Sequence, residues 1–145
     1  MPRPRRATRE NLGYLLAKAT QRWNELLHAG FVQEGFPEVR PSYGSVLIPL
    51  FEEDGLRMGE LAARARLAKQ TMTTLIRLAE RDGLVRRERD PDDGRAFRVF
   101  LTARARAFRP VAERVLARLD ARVERRLSPA EHEVLTTSLQ EVMSL

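Results

Sequence analysis

Residues 61–102 read LAARARLAKQTMTTLIRLAERDGLVRRERDPDDGRAFRVFLT, and the order of patterns within them decides the fold. Residues 69–81 have helical periodicity. Met72, Leu75, Ile76 and Ala79 share one face, while Gln70, Thr71, Thr73, Thr74 and Arg77 point more outward. A shorter helix at 59–66 precedes it with Leu61, Ala62 and Ala65 inward, and Leu67-Ala68 makes the turn between them. Strands at 84–89 and 96–101 then flank the turn Asp90-Pro91-Asp92-Asp93-Gly94-Arg95. A polar helix followed at once by an Arg-studded hairpin is the arrangement of a winged helix-turn-helix. Such a helix fits the major groove of DNA, and a basic hairpin reaches the neighbouring minor groove or backbone.

Outward from this stretch the pattern stays helical. From Thr8, a plausible N-cap by residue type, apolar residues recur at Leu12, Leu15, Leu16, Ala19, Trp23, Leu26 and Leu27, and Gly30 reads as the stop. Residues 31–41, with Gly35, Pro37 and Pro41, read as a connection. A helix starting near Pro41-Ser42 carries Val46, Leu47, Leu50 and Phe51 to Asp54-Gly55, with Pro49 expected to bend or shorten it. On the far side, Thr102 caps a long helix with Phe108, Val111, Ala112, Val115, Leu116, Leu119, Val123 and Leu127 on one side, and Pro110 predicts a kink in it. Ser128-Pro129-Ala130-Glu131 is a capping box that opens a last helix bearing Val134, Leu135, Leu139, Val142 and Met143. The chain begins with a Pro/Arg arm, Met1-Pro2-Arg3-Pro4-Arg5-Arg6, expected to be disordered when free.

The expected fold class is therefore mainly α: a winged helix-turn-helix, meaning a three-helix core plus a β-hairpin wing, with N- and C-terminal dimerisation helices. The 145 residues form a single domain in which 41–102 is the winged helix-turn-helix and 8–30 and 103–145 are the dimerisation helices. The terminal helices carry more apolar surface than a small winged unit covers alone, which points to pairing with a second copy, a homodimer, the alternative being that they pack only on their own domain. A two-fold dimer sets two recognition helices about one DNA turn apart, roughly 34–36 Å.

Composition points the same way. The net charge is +6, and Lys18 and Lys69 are the only lysines, so the cations are almost all arginine. Arginine stays charged and binds phosphate or guanine bidentately, although codon composition produces the same bias. There is no cysteine, which removes disulfides, thiolate metal sites and cysteine redox sensing. No apolar run follows the basic start to make a signal peptide and none is long enough to span a bilayer, so the chain reads as cytoplasmic, with no membrane partner.

Leu61-Ala62, Leu67-Ala68-Lys69-Gln70-Thr71-Met72-Thr73, Gly83-Leu84-Val85-Arg86-Arg87 and Asp90-Pro91-Asp92-Asp93-Gly94-Arg95 through Leu101-Thr102 together resemble the MarR (multiple antibiotic resistance regulator) family. The resemblance covers nearly the whole chain, and the Asp-Pro-x-Asp-x-Arg wing followed by Leu-Thr is its most specific element. It implies a homodimeric transcription regulator, usually a repressor, that binds a pseudo-palindromic operator in double-stranded DNA. It also implies release, in many members, by a small aromatic or anionic effector that enters a cleft between the dimerisation and DNA-binding regions. Carried over by position, Lys69 to Thr74 sit in the major groove, Arg95 enters the minor groove, and Asp93 steadies the wing by pairing with an arginine. Two departures stand out: Ala68 and Arg57 occupy the helix-capping positions where the family often has Ser or Thr.

The candidate DNA-binding residues are Lys69, Gln70, Thr71, Thr73, Thr74, Arg77, Arg89, Arg95 and Arg98. Gln70 can pair bidentately with adenine, Lys69 can reach guanine or phosphate, and the threonine methyls can contact thymine. Arg77 suits a phosphate, and Arg95 a narrow minor groove. Arg86, Arg87, Arg89 and Arg98 line the wing or are simply solvated. Asp90, Asp92 and Asp93 shape its turn through Asx hydrogen bonds, with Arg89 or Arg98 as neighbours to neutralise them. The arginines between 104 and 126 give long-range attraction or pair with Glu113, Asp120 and Glu124 at helical spacing. Trp23, Phe31, Tyr43, Leu47 and Phe108, with Arg40 for an anion, are candidates for an effector pocket or for plain core. His28 and His132 lie on different terminal helices, so no catalytic residue, metal site or cofactor is expected, and the chain does not read as an enzyme. The alternative function is a non-specific architectural nucleic-acid-binding protein.

Overall fold

The computed structural model describes residues 7–145. The basic arm at 1–6 lies outside them. The elements run α1 (Leu12–Gln33), a single 3-10 turn (Pro41–Tyr43), α2 (Gly44–Glu52), β1 (Leu56–Arg57), α3 (Met58–Ala65), α4 (Lys69–Arg81), β2 (Val85–Arg89), β3 (Phe97–Leu101), α5 (Ala103–Glu124) and α6 (Pro129–Met143). Helices α2, α3 and α4 pack on one another and on an antiparallel sheet of order β1-β3-β2. Leu56 pairs with Val99, and Val85 to Arg89 run against Leu101 to Phe97. Strand β1 escapes sequence reading because two residues are too short to display a period.

The periodicity of 69–81 is met residue for residue by α4. Met72, Ile76 and Ala79 are buried and join Leu47, Leu50, Leu61, Leu84, Val85 and Val99 in the core. Thr102 caps α5 by accepting from the Ala105 N–H, and the Ser128–Glu131 capping box opens α6. Helix α2 ends three residues beyond Pro49, and α5 runs as one uninterrupted helix through Pro110.

The start and end of the first helix depart from expectation. Asn11 rather than Thr8 is the N-cap, its Oδ1 accepting from the Gly13 N–H at 2.9 Å. The helix does not stop at Gly30 but continues to Gln33, because Gly30 is where α1 touches α5: an added Cβ would lie 2.6 Å from Cγ1 of Val115. The stop is Gly35, at φ +87°, in a Schellman motif closed by the Phe36 N–H on the Phe31 carbonyl. Phe31 is thereby helical and buried, and meets Phe108 edge to face at 4.8 Å.

Candidate nucleic-acid interface

The outer face of α4 is open. Lys69, Gln70, Thr71, Thr74 and Arg77 are exposed and Thr73 is half-buried. The Thr73 hydroxyl donates to the Lys69 carbonyl at 2.8 Å and that of Thr74 to the Gln70 carbonyl at 3.1 Å. Their hydrogens are thus used within the helix, leaving lone pairs and methyl groups to offer a base edge. As the sequence indicated, neither Ala68 before α4 nor Arg57 before α3 supplies a capping side chain. The first N–H groups of both helices therefore keep their partial positive charge available to an anion. A concavity of about 560 Å³ separates the start of α4 from the wing, and Arg57, Glu60, Lys69, Thr73 and Arg95 line it. Three candidate contacts from two elements are thus brought to one surface.

The wing is anchored by Asp90, which was expected to shape the turn with Arg89 or Arg98 as a neutralising neighbour and which meets Arg98 and, unexpectedly, Arg57. Asp90, 2% exposed, accepts from the Asp92 N–H at 2.9 Å. Its other oxygen lies 2.6 Å from Nε of Arg57 and 3.3 Å from Nε of Arg98. The Asp92 N–H, and then the two guanidinium groups, hold the Asp90 carboxyl below the usual carboxylate range despite burial. Asp93, expected to pair with an arginine, instead accepts from the Arg95 N–H at 3.0 Å and so forms an Asx turn. Arg98 is correspondingly turned to Asp90 and the Gly55 carbonyl rather than outward. Arg89 donates to the Gly94 carbonyl at 3.4 Å. Arg86 pairs with Glu88 and Arg87 with Glu80. Arg95 is exposed, and among the described residues its side chain makes no ion pair.

Half of the arginines between 104 and 126 have carboxylate partners, mostly other than those expected. Arg109 pairs with Glu113 at 3.2 Å within α5. Arg104 instead reaches Glu38 at 2.6 Å and stacks on Phe36, while Arg114 and Arg118 converge on Glu34 at the end of α1. Hydrogen bonds from Arg118 and Arg104 lower the Glu34 and Glu38 carboxyls respectively. No partner in the described residues takes Asp120 or Glu124.

The proposed effector residues separate into three places. Phe31, Arg40, Leu47 and Phe108 line one small apolar cavity of about 90 Å³. Trp23 does not reach it and lines a different groove of about 740 Å³ between α1, α5 and α6, together with Leu15, His132 and Leu139. Tyr43 is fully buried, its hydroxyl donating to Asp82 at the end of α4 at 2.5 Å. Burial, and then Asp82, raise the Tyr43 pKa, and the Tyr43 hydrogen bond, then Arg81, lowers that of Asp82. That contact had no sequence signal, since the two residues belong to separate elements. Among the described residues no group of metal-ligating side chains occurs, and no helix is long and apolar enough to cross a membrane.

The sequence profile of the MarR family matches residues 49–96, the segment holding α3, α4 and most of the wing. An HTH-type transcriptional repressor of Mycobacterium tuberculosis, Rv2887, is 36% identical over 95 residues, 66% of this chain and 68% of that protein. The structure of that organism's MarR family protein Rv2887 in complex with salicylic acid is similar with a TM-score of 0.61 and 31% identity, covering 91% of this chain and 96% of that one. The transcriptional repressor CouR bound to a 23-mer DNA duplex is similar with a TM-score of 0.78 and 26% identity, covering 92% and 93%.

Proposed function

The chain belongs to the MarR family of transcription regulators, and from that premise we propose that it is a cytoplasmic homodimeric repressor of a pseudo-palindromic operator. It is a regulator and not an enzyme. In this reading 41–102 is the DNA-binding unit, and 8–30 with 103–145 are the dimerisation helices. The observation that carries it is that exposed cations without ion pairs stand together on α4 and the wing. Lys69, Arg77 and Arg95 project without ion pairs among the described residues, while Arg87, Arg98, Arg104, Arg109, Arg114 and Arg118 have carboxylate partners. Lys69 to Thr74 read base edges, Arg77 and Arg89 position the backbone, and Arg95 enters the minor groove. Arg98 supports the wing from behind.

The dimer reading is supported by α6, which buries no residue of its own and leaves Val134, Leu135, Leu139 and Met143 exposed beside the groove that holds Trp23. A second copy is the occupant that this apolar strip fits. A small aromatic or anionic effector is supported by the cavity at Phe31, Leu47 and Phe108 with Arg40 on its wall, and by the salicylic acid complex of the relative. At about 90 Å³ the cavity is below the few hundred Å³ usual for ligand sites, so its walls part to admit a ligand.

The test is selection of bound sequences from a random duplex pool near 150 mM salt. A palindrome with half-sites about 10 bp apart supports the reading. Binding without enrichment replaces it with an architectural, sequence-indifferent role, and absence of binding in the ligand-free protein overturns it.

A further inference from the structure

Three helices of this chain end in the same Schellman geometry, and one of the three does so with the wrong residue. The Phe36, Leu67 and Leu84 N–H groups donate to the carbonyls of Phe31, Ala62 and Ala79 at 2.8, 3.0 and 3.0 Å. The left-handed residue before each is Gly35 at φ +87°, Arg66 at φ +56° and Gly83 at φ +79°. Glycine suits that position because it has no Cβ to meet the following carbonyl. Arg66 is the one non-glycine with positive φ among the described residues, so the turn between α3 and α4 carries a backbone penalty that its two counterparts avoid.

The side chain at that position reaches far along the chain. Nη1 of Arg66 donates to the Met143 carbonyl at 2.8 Å, in the final turn of α6. That turn contains no basic residue of its own, and the last carbonyls of a helix carry partial negative charge without intrahelical donors. Arg66 supplies the cation from outside the helix. Its own position is three residues before Lys69, where α4 begins. One hydrogen bond thus ties the turn before α4 to the end of α6, a helix that follows the Arg125 to Ser128 turn and packs against α5.

We infer that Arg66 is a positioning residue for DNA recognition: by fixing α4 to α6 it sets the separation of the two recognition helices, and hence the half-site spacing that the operator must have. The inference rests on the dimeric, operator-binding reading, in which α6 belongs to the dimer surface. Arg66 reads no base in this role, and a strained arginine is retained where glycine would fold more easily because the spacing depends on it.

Wild type, Arg66→Gly and Arg66→Lys are each passed through selection from a random duplex pool at one salt concentration, with melting temperatures measured alongside. The wild type is expected to enrich one half-site spacing. Arg66→Gly is expected to melt at the same or a higher temperature and to keep the half-site sequence, yet to enrich spacings shorter and longer by a base pair or more. Arg66→Lys, which retains a donor cation, is expected to keep the narrow distribution. A wild-type spacing retained by Arg66→Gly sinks the inference while leaving the operator reading intact. So does a uniform loss of affinity with a salt slope lowered by about one, the mark of a lost phosphate contact. A wild type that enriches no palindrome removes the dimeric reading and the inference with it.

Discussion

Asp90 and Arg95 sit five residues apart in one hairpin and have opposite fates, because one carboxylate meets two guanidinium groups and the other side chain meets only solvent. Replacing Arg95 by Ala should weaken operator binding roughly tenfold, the scale of one lost charged contact, and leave the melting temperature unchanged. Binding at matched salt and a thermal melt check both halves, and an unaltered affinity removes Arg95 from the interface. Asp90→Asn should do the reverse in origin: it leaves Arg57 and Arg98 facing each other without a counter-charge, so the melting temperature falls and the wing loses its fixed angle to α3. A melt identical to wild type would show that the buried carboxylate does not hold the wing. The missing caps at Ala68 and Arg57 were legible in the sequence because capping is a local matter of residue type. The choice of Asp90 over Asp93 was not, since both lie in the same acidic turn and only the tertiary approach of Arg57 distinguishes them.

At the scale of elements, legibility followed how much of each boundary is decided within a few residues. Helix α4, the α6 capping box and the Thr102 cap are local and were readable to the residue. The end of α1 was not, because Gly30 is required by Val115, far along the chain, rather than by a turn. Gly30→Ala should therefore destabilise the protein in spite of alanine's better helix propensity. The stiff, buried Val115 side chain cannot swing aside, and overpacking of this kind costs about 1–3 kcal/mol. Denaturant unfolding measures it, and an equal or greater stability would show that α1 and α5 can separate freely. The same contact explains why the effector candidates scattered: α1 passes Phe31 to the cavity and Trp23 to the opposite groove, a division set by helix rotation beyond the reach of a list of aromatics.

Taken whole, the molecule has a net charge of +6 in its sequence, but several of its arginines, Arg104, Arg114 and Arg118 among them, are already answered by carboxylates of other elements. Glu34, Glu38, Asp82 and Asp90 all have folded pKa values below those of the free side chains, which lie at about 4. Each therefore adds stability above that pH and loses it as the pH falls through the lower folded value. The melting temperature should drop progressively below about pH 4, and a melt unchanged down to pH 3 would show that these pairs do not contribute to folding. Surface pairs screened by salt contribute modestly, so the fall should steepen at low ionic strength. Which arginines are free for DNA was the part least legible in the sequence, because pairing to Glu34 and Glu38 depends on how α1 and α5 cross. The groove beside that crossing holds the chain's one tryptophan, Trp23, half-buried against α5 and α6. Its indole is a native optical label: whatever covers the groove dehydrates it and shifts its emission to the blue, so assembly can be followed by dilution in unmodified protein, with no dye attached.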